Sequence, residues 1–153
     1  MKHQHLLLTG AMYSMLFFHV HAQPLPPIHK LLPEKALLFN KLPEQFKITN
    51  LLIEKLFAGP DTGTVIIPIT ANSFFEGVII DKVQKNPNVT NINIKSTNYD
   101  GALLSVSKIT HNDFTTKYNG RIISIHYGDV FLLTQENNTL YFKKKKQSAV
   151  ITE

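Results

Sequence analysis

Cysteine is absent from all 153 residues, which excludes disulfide staples, thiol nucleophiles, cysteine zinc sites and cysteine-linked lipid anchors. Stability must come from packing. Only seven glycines are present, and none falls in a G-x-G-x-x-G or P-loop pattern, so phosphate-cradling loops are missing too. Histidine is scarce where it would matter: His3, His5, His19 and His21 sit at the extreme N-terminus, leaving His29, His111 and His126 without a close-spaced pair. A zinc site normally gathers several such ligands, so none is expected, and no cofactor motif is found. After residue 18 no apolar stretch approaches the roughly 20 residues that cross a bilayer.

What is present suits a folded chain. An apolar fraction of 43%, 18% charged residues, ten Phe and five Tyr are ordinary for one globular domain and can supply a core. Residues 1–22 read as a secretory signal: Lys2 gives a positive start, residues 6–18 are mostly apolar, and Val20-His21-Ala22 offers a cleavage site. Cleavage there leaves no transmembrane anchor and predicts a secreted or periplasmic location. Residues 23–42 carry Pro24, Pro26, Pro27 and Pro33, which oppose helix and ladder and favour an extended linker arm. Its Leu31, Leu32, Leu37, Leu38 and Phe39 suggest that the second half packs on the domain formed by residues 43–153.

That domain is expected to be mainly β with one short helix. Phe46-Lys47-Ile48 alternates as a short strand. Thr49 or Asn50 can then cap a helix carrying Leu52, Ile53, Leu56 and Phe57 at helical spacing, and Gly59-Pro60 ends it. From Thr64 the period becomes two. Strands are predicted over 64–70, 75–83, 91–95, 102–107, 121–127, 129–136 and 139–145, with Pro68 marking an edge. Asp100-Gly101 and Asn119-Gly120 are hairpin turn signals, with further turns at Tyr127-Gly128-Asp129 and Asn137-Asn138. The expected architecture is an antiparallel meander of six or seven strands, closing into a sandwich or a curled sheet covered by the helix.

Four constellations bear on chemistry. Asp61-Thr62-Gly63 spells an aspartic protease triplet, but Ala58-Gly59-Pro60 precedes it instead of an apolar strand, so a turn after a helix stop explains the same letters. Ser124, His126 and Asp129 are neighbours, yet no nucleophile elbow surrounds the serine. A solvent-facing polar stripe is the plainer reading. Asn86, Asn88, Asn91, Asn93 and Asn98 could suggest calcium, but Asp100 is the one anion among them, and amides on turns and a solvated face account for them. Lys143, Lys144, Lys145 and Lys146 are the sharpest charge feature of a chain with formal net charge +5. They point to an anionic surface such as phosphate, sulfated sugar or acidic headgroups, or to lysines that guard a sheet edge from pairing. No nucleic-acid partner is expected, because the aromatic and glycine pattern of single-strand readers is missing.

The order of features from Phe46 to Phe142 resembles the non-catalytic N-terminal prodomains of secreted metalloproteases. The likeness runs through a strand and helix over 46–58, a Pro-containing strand over 64–70, Phe75-Glu76-Gly77-Val78, Gly101-Ala102-Leu103-Leu104-Ser105, Gly120-Arg121-Ile122-Ile123 and Leu140-Tyr141-Phe142. The chain is also similar to small exported proteins of unknown role from Bacteroidota. The resemblance is one of layout: the cysteine that could block a catalytic zinc is missing, and no functional residue carries over. The leader, the meander with its lysine run and the lack of a coherent catalytic constellation point to an exported, non-enzymatic β-rich module that binds a protein or an anionic envelope surface. The alternatives are an aspartic-type hydrolase using Asp61 as a dimer, and a structural envelope component.

Overall fold

A computed structural model describes residues 34–150; the expected signal segment, the first part of the Pro-rich arm and residues 151–153 lie outside them. The elements are β1 (Gln45–Ile48), α1 (Asn50–Ala58), β2 (Gly63–Thr70), β3 (Ser73–Asn86), β4 (Val89–Ser96), β5 (Ala102–Thr110), β6 (Thr116–Ser124), β7 (Asp129–Glu136) and β8 (Thr139–Lys146), followed by a short 3-10 turn (Gln147–Ala149). All eight strands belong to one antiparallel sheet in the order β1-β8-β7-β6-β5-β4-β3-β2. The two edges, β1 and β2, approach each other, so the sheet curls into a nearly closed barrel.

The meander is as expected, and of the two closures foreseen it is the curled sheet that forms, as a single rolled sheet of eight strands instead of six or seven. Alternation of apolar and polar residues is the same in a sandwich half and in a barrel wall, so the period could not separate them. The separating contact is long-range: β1 pairs with β8, placing Phe46 opposite Phe142 and Ile48 opposite Leu140. Cross-strand neighbours then share one interior. Ile94 faces Leu104, Leu104 faces Ile122, Ile122 faces Phe131, and Leu133 faces Phe142. All of them are buried, in one continuous core.

Both ends of the barrel are plugged. At the end where β1 finishes, α1 packs Ile53 and Leu56 inward with Leu52 and Phe57 against them. Thr49 caps this helix, its Oγ1 accepting from the Leu52 amide at 3.2 Å, and the Gly59 amide closes the other end on the Lys55 carbonyl. Thr49→Ala is expected to cost about 1 kcal/mol, the usual worth of a side-chain N-cap, read as a shift of the urea midpoint without a change of slope. At the opposite end, Phe39 from the segment before β1 inserts between Tyr99 and Phe131, with ring centroids at 5.7 and 5.1 Å. The second half of the Pro-rich arm thus packs on the domain, although Leu37 remains exposed.

Most turn signals hold. Gly101 has φ +60, and Asn137 and Asn138 have φ +46 and +59, as a tight hairpin needs. Asn119-Gly120 does not turn: both lie inside β6, opposite Ser107 and Val106, and the β5–β6 reversal occurs at 111–115, where Phe114 has φ +62. Gly120 is small for another reason. A Cβ there would lie 2.9 Å from the Ser105 carbonyl oxygen and 3.4 Å from the Leu133 side chain, so close approach, and not turn geometry, is what the glycine serves. Pro68 does sit on an edge strand, since β2 pairs only with β3. On the outward side of that edge, Ile66, Phe74, Val78 and Ile80 are exposed.

Candidate functional site

Besides bulges in β2 and β3, the shortest ladder from β2 to β8 is that between β6 and β7. Their ladder consists of Arg121↔Leu132, Ile122↔Phe131 and Ile123↔Val130. Continuing that register would pair Gly120 with Leu133, Asn119 with Thr134 and Tyr118 with Gln135, but the ladder stops: Gly120 still lies against the Leu133 side chain, and the strands are unpaired beyond it. Each nonetheless stays paired on its other side, β6 with β5 as far as Thr116 and β7 with β8 as far as Glu136. The result is a solvent-open cavity of about 550 Å³, lined by Lys117, Tyr118 and Asn119 from β6 and by Leu133, Thr134 and Gln135 from β7, with Asn137 and Asn138 at its foot.

Tyr118 joins this opening to the plugged end of the barrel. Its ring centroid lies 6.0 Å from that of Phe57, and its hydroxyl donates to Glu54 Oε1 on α1. Glu54 Oε2 accepts from Lys108 Nζ at 2.6 Å. Burial raises the Glu54 carboxyl, but the hydrogen bonds from Lys108 and Tyr118 and the charge of Lys108 outweigh it and hold the group below the ordinary range. For Tyr118, burial, then the bond and charge of Glu54, push the hydroxyl far above its usual value. Near neutral pH the tyrosine is therefore a fixed donor to an ionised acceptor, an arrangement that positions a wall and supplies no free base.

The linkage has a sign at each end of the pH range. Glu54, with a depressed folded value, contributes stability above the ordinary glutamate value and loses it as pH falls below about 4.5. Tyr118, with a raised folded value, contributes fully below about 10 and loses that contribution as pH rises further. Ultraviolet titration should show Tyr118 and Tyr99, which burial also shifts upward, ionising above the ordinary tyrosine range. Tyr118→Phe should remove one of the late transitions and flatten the alkaline stability loss. An unchanged alkaline profile would contradict the link from Tyr118 to Glu54.

The residues singled out from sequence are scattered. Lys143, Lys144, Lys145 and Lys146 lie at the end of β8, which is not an edge: β8 runs between β7 and β1, with Gln45 opposite Lys143 and the Lys144 amide donating to the Glu44 carbonyl at 2.8 Å. The edge-guarding expectation is thereby corrected; the run looked like an edge because the partner strand comes from the far end of the chain. Three of the four ammonium groups meet carboxylates, Lys143 with Glu136, Lys144 with Glu44 at 3.1 Å and Lys146 with Glu34 at 2.8 Å. Lys144 also donates to the Leu42 carbonyl at 2.6 Å and lies over the Phe131 ring. Lys145 is exposed and has no such partner among the described residues.

Asp61 lies on the turn after α1, its side chain 78% exposed and 3.3 Å from Lys82 Nζ. Ser124 is buried, so it belongs to no solvent-facing stripe, and the His126 amide reaches its Oγ at 3.4 Å. The Asp129 carboxylate is buried and accepts from the Leu38 and Phe39 amides, both at 2.8 Å. Asn98 bridges the Glu76 amide and the Phe74 carbonyl at 3.0 and 2.7 Å, and Asn93 bonds Asp81 and Ser105. Asn86, Asn93 and Asn98 thus serve turns and ladders, whereas the buried Asn91 Oδ1 has no hydrogen-bond partner among the described residues. Among the described residues no three His, Asp or Glu side chains converge on a metal-sized space, and no helix is long and apolar enough to cross a membrane.

Sequence reading missed Glu54, Lys108, Tyr118, Asn119, Thr134 and Gln135. They come from four distant elements, and no local spacing links them; the one available hint was the polar residues that interrupt β6 and the end of β7. No protein-family model, curated protein or solved structure matches this chain.

Proposed function

We propose that this chain is an exported, non-enzymatic β-barrel module that works by binding a protein partner at the opening between β6 and β7. The supporting observation is that opening itself: two facing strand edges around a cavity, in a barrel whose ends are plugged and whose interior is filled by aliphatic and aromatic side chains. The carboxylates favour a binding role over a catalytic one: Glu54, which Tyr118 links to the opening, is held by Lys108, and Asp61 and Asp129, which lie elsewhere, are held by Lys82 and by backbone amides. The leader-like residues 1–22 support export, and the layout likeness to metalloprotease prodomains fits a module that handles another polypeptide.

The test is a photo-crosslinking residue placed at Asn119 or Gln135, with Lys95 on the outer face of β4 as control. In the exported fraction of its host, the first two sites should trap a discrete protein that survives a high-salt wash. Equal trapping at Lys95, or none at Asn119 and Gln135, would sink this reading. Anion binding by the lysine run is a subordinate part of the proposal and falls chiefly to Lys145. Lys145→Glu should weaken any salt-sensitive retention on anionic vesicles and leave the trapped protein unchanged.

A self-associating envelope component is the second reading. It is favoured by the outward strip of Ile66, Phe74, Val78 and Ile80 beside the free edge of β2. Sedimentation of the purified chain decides it: a monomer at micromolar concentration rules it out.

A further inference from the structure

We propose that the opening receives an extended peptide segment, inserted as an additional strand whose main chain pairs with β6 on one side and β7 on the other. This rests on the protein-binding reading above and names the kind of partner. The argument begins with the backbone. Along 117–120 and 133–136 each strand is paired on its far side, with Lys117 opposite Ile109 and Gln135 opposite Leu140. In such strands alternate residues turn their N–H and C=O groups to the other side, which here is the opening. A sheet interior that presents donors and acceptors from both walls is a template for one more strand.

The side chains agree with a main-chain reader. Asn119, Thr134, Gln135, Asn137 and Asn138 are uncharged donors and acceptors, and Leu133, the apolar contributor, is mostly buried in the core. Such a lining offers no greasy groove for an amphipathic helix and no cluster of charge for a phosphorylated or strongly acidic ligand. The volume, about 550 Å³, falls within the roughly 300 to 1,000 Å³ of sites that enclose a ligand. Because β6 and β7 are themselves antiparallel, the inserted strand is antiparallel to one and parallel to the other, a mixed arrangement that sheets accommodate. The arm of this chain is a poor occupant, since Pro24, Pro26, Pro27 and Pro33 carry no N–H to donate. The segment therefore comes from another molecule.

The experiment uses the full chain and a pool of random twelve-residue peptides displayed on phage, from which the tightest binder is synthesised. On adding it, amide hydrogen exchange should slow at least about tenfold along both 117–120 and 133–136. N-methylation of alternate peptide amides should weaken binding by about tenfold or more, as losing one or two hydrogen bonds implies. Protection on one edge alone, protection elsewhere, or tolerance of N-methylation would overturn strand insertion. So would slower exchange at the same amides with maltoheptaose in place of the peptide. If no peptide is selected although Asn119 and Gln135 crosslink a protein, insertion fails and the protein-binding reading stands. If neither occurs, both fail.

Discussion

Replacing Asp129 by alanine is expected to destabilise the protein by about 3 to 5 kcal/mol, because its buried carboxylate accepts from two backbone amides at once and hydrogen bonds to such groups are worth about 1.5 to 3 kcal/mol each. The change would strand the Leu38 and Phe39 N–H groups without acceptors and loosen the Phe39 ring from Tyr99 and Phe131. At this size the midpoint of thermal unfolding should fall by roughly 10 to 15 °C. The segment 34–42 should also become the first point of proteolysis, since its remaining polar ties are the Gly128 amide on the Ala36 carbonyl at 2.9 Å and three lysine contacts at partly exposed positions, Lys35 on the Ile125 carbonyl, Lys144 on the Leu42 carbonyl and Lys146 on Glu34. Asp129→Asn should fall between the two, keeping one acceptor and pointing a donor at the other amide. A loss under 1 kcal/mol for the alanine variant would show that the plug is held by packing alone.

Gly77→Val is expected to be comparably severe, at about 3 kcal/mol, with Gly77→Ala near 2 kcal/mol, the range of overpacked interiors. Gly77 is buried in β3 between Val65 of β2 and Ser96 of β4. A Cβ there would lie 2.6 Å from the Lys95 carbonyl oxygen and 2.8 Å from Ile94 Cγ2. The carbonyl cannot retreat without breaking the β3–β4 ladder. The neighbouring bonds that tie the β4–β5 loop to β3, from the Thr97 amide and Ser96 Oγ to the Glu76 carbonyl at 2.9 and 3.0 Å, would shift with it. Chemical denaturation checks the magnitude. A Gly77→Ala protein with an unchanged midpoint would mean that β4 moves freely at this point.

Legibility in the sequence followed the range of the interaction. The α1 cap at Thr49, its stop at Gly59, the Pro68 edge and the Asn137-Asn138 turn were readable because each depends on a few adjacent residues. Asn119-Gly120 misled because glycine serves both a turn and a crowded strand, and only the position of Ser105 across the ladder distinguishes them. The lysine run misled in the same way. A charged stretch is the mark of an edge, but Gln45 lies against Lys143, and carboxylates 7 to 112 residues away pair with three of the four lysines.

By itself, then, the sequence determined that this is a cysteine-free chain of mainly β character with one short helix, because composition and period are local properties. Only the tertiary structure decided that β1 joins β8 to roll the sheet, that Phe39 and α1 stop its ends, and that β6 and β7 part beside Tyr118. Each of those is a contact between residues far apart in the chain, selected by the twist and closure of the whole sheet, and no window of neighbouring residues carries that information.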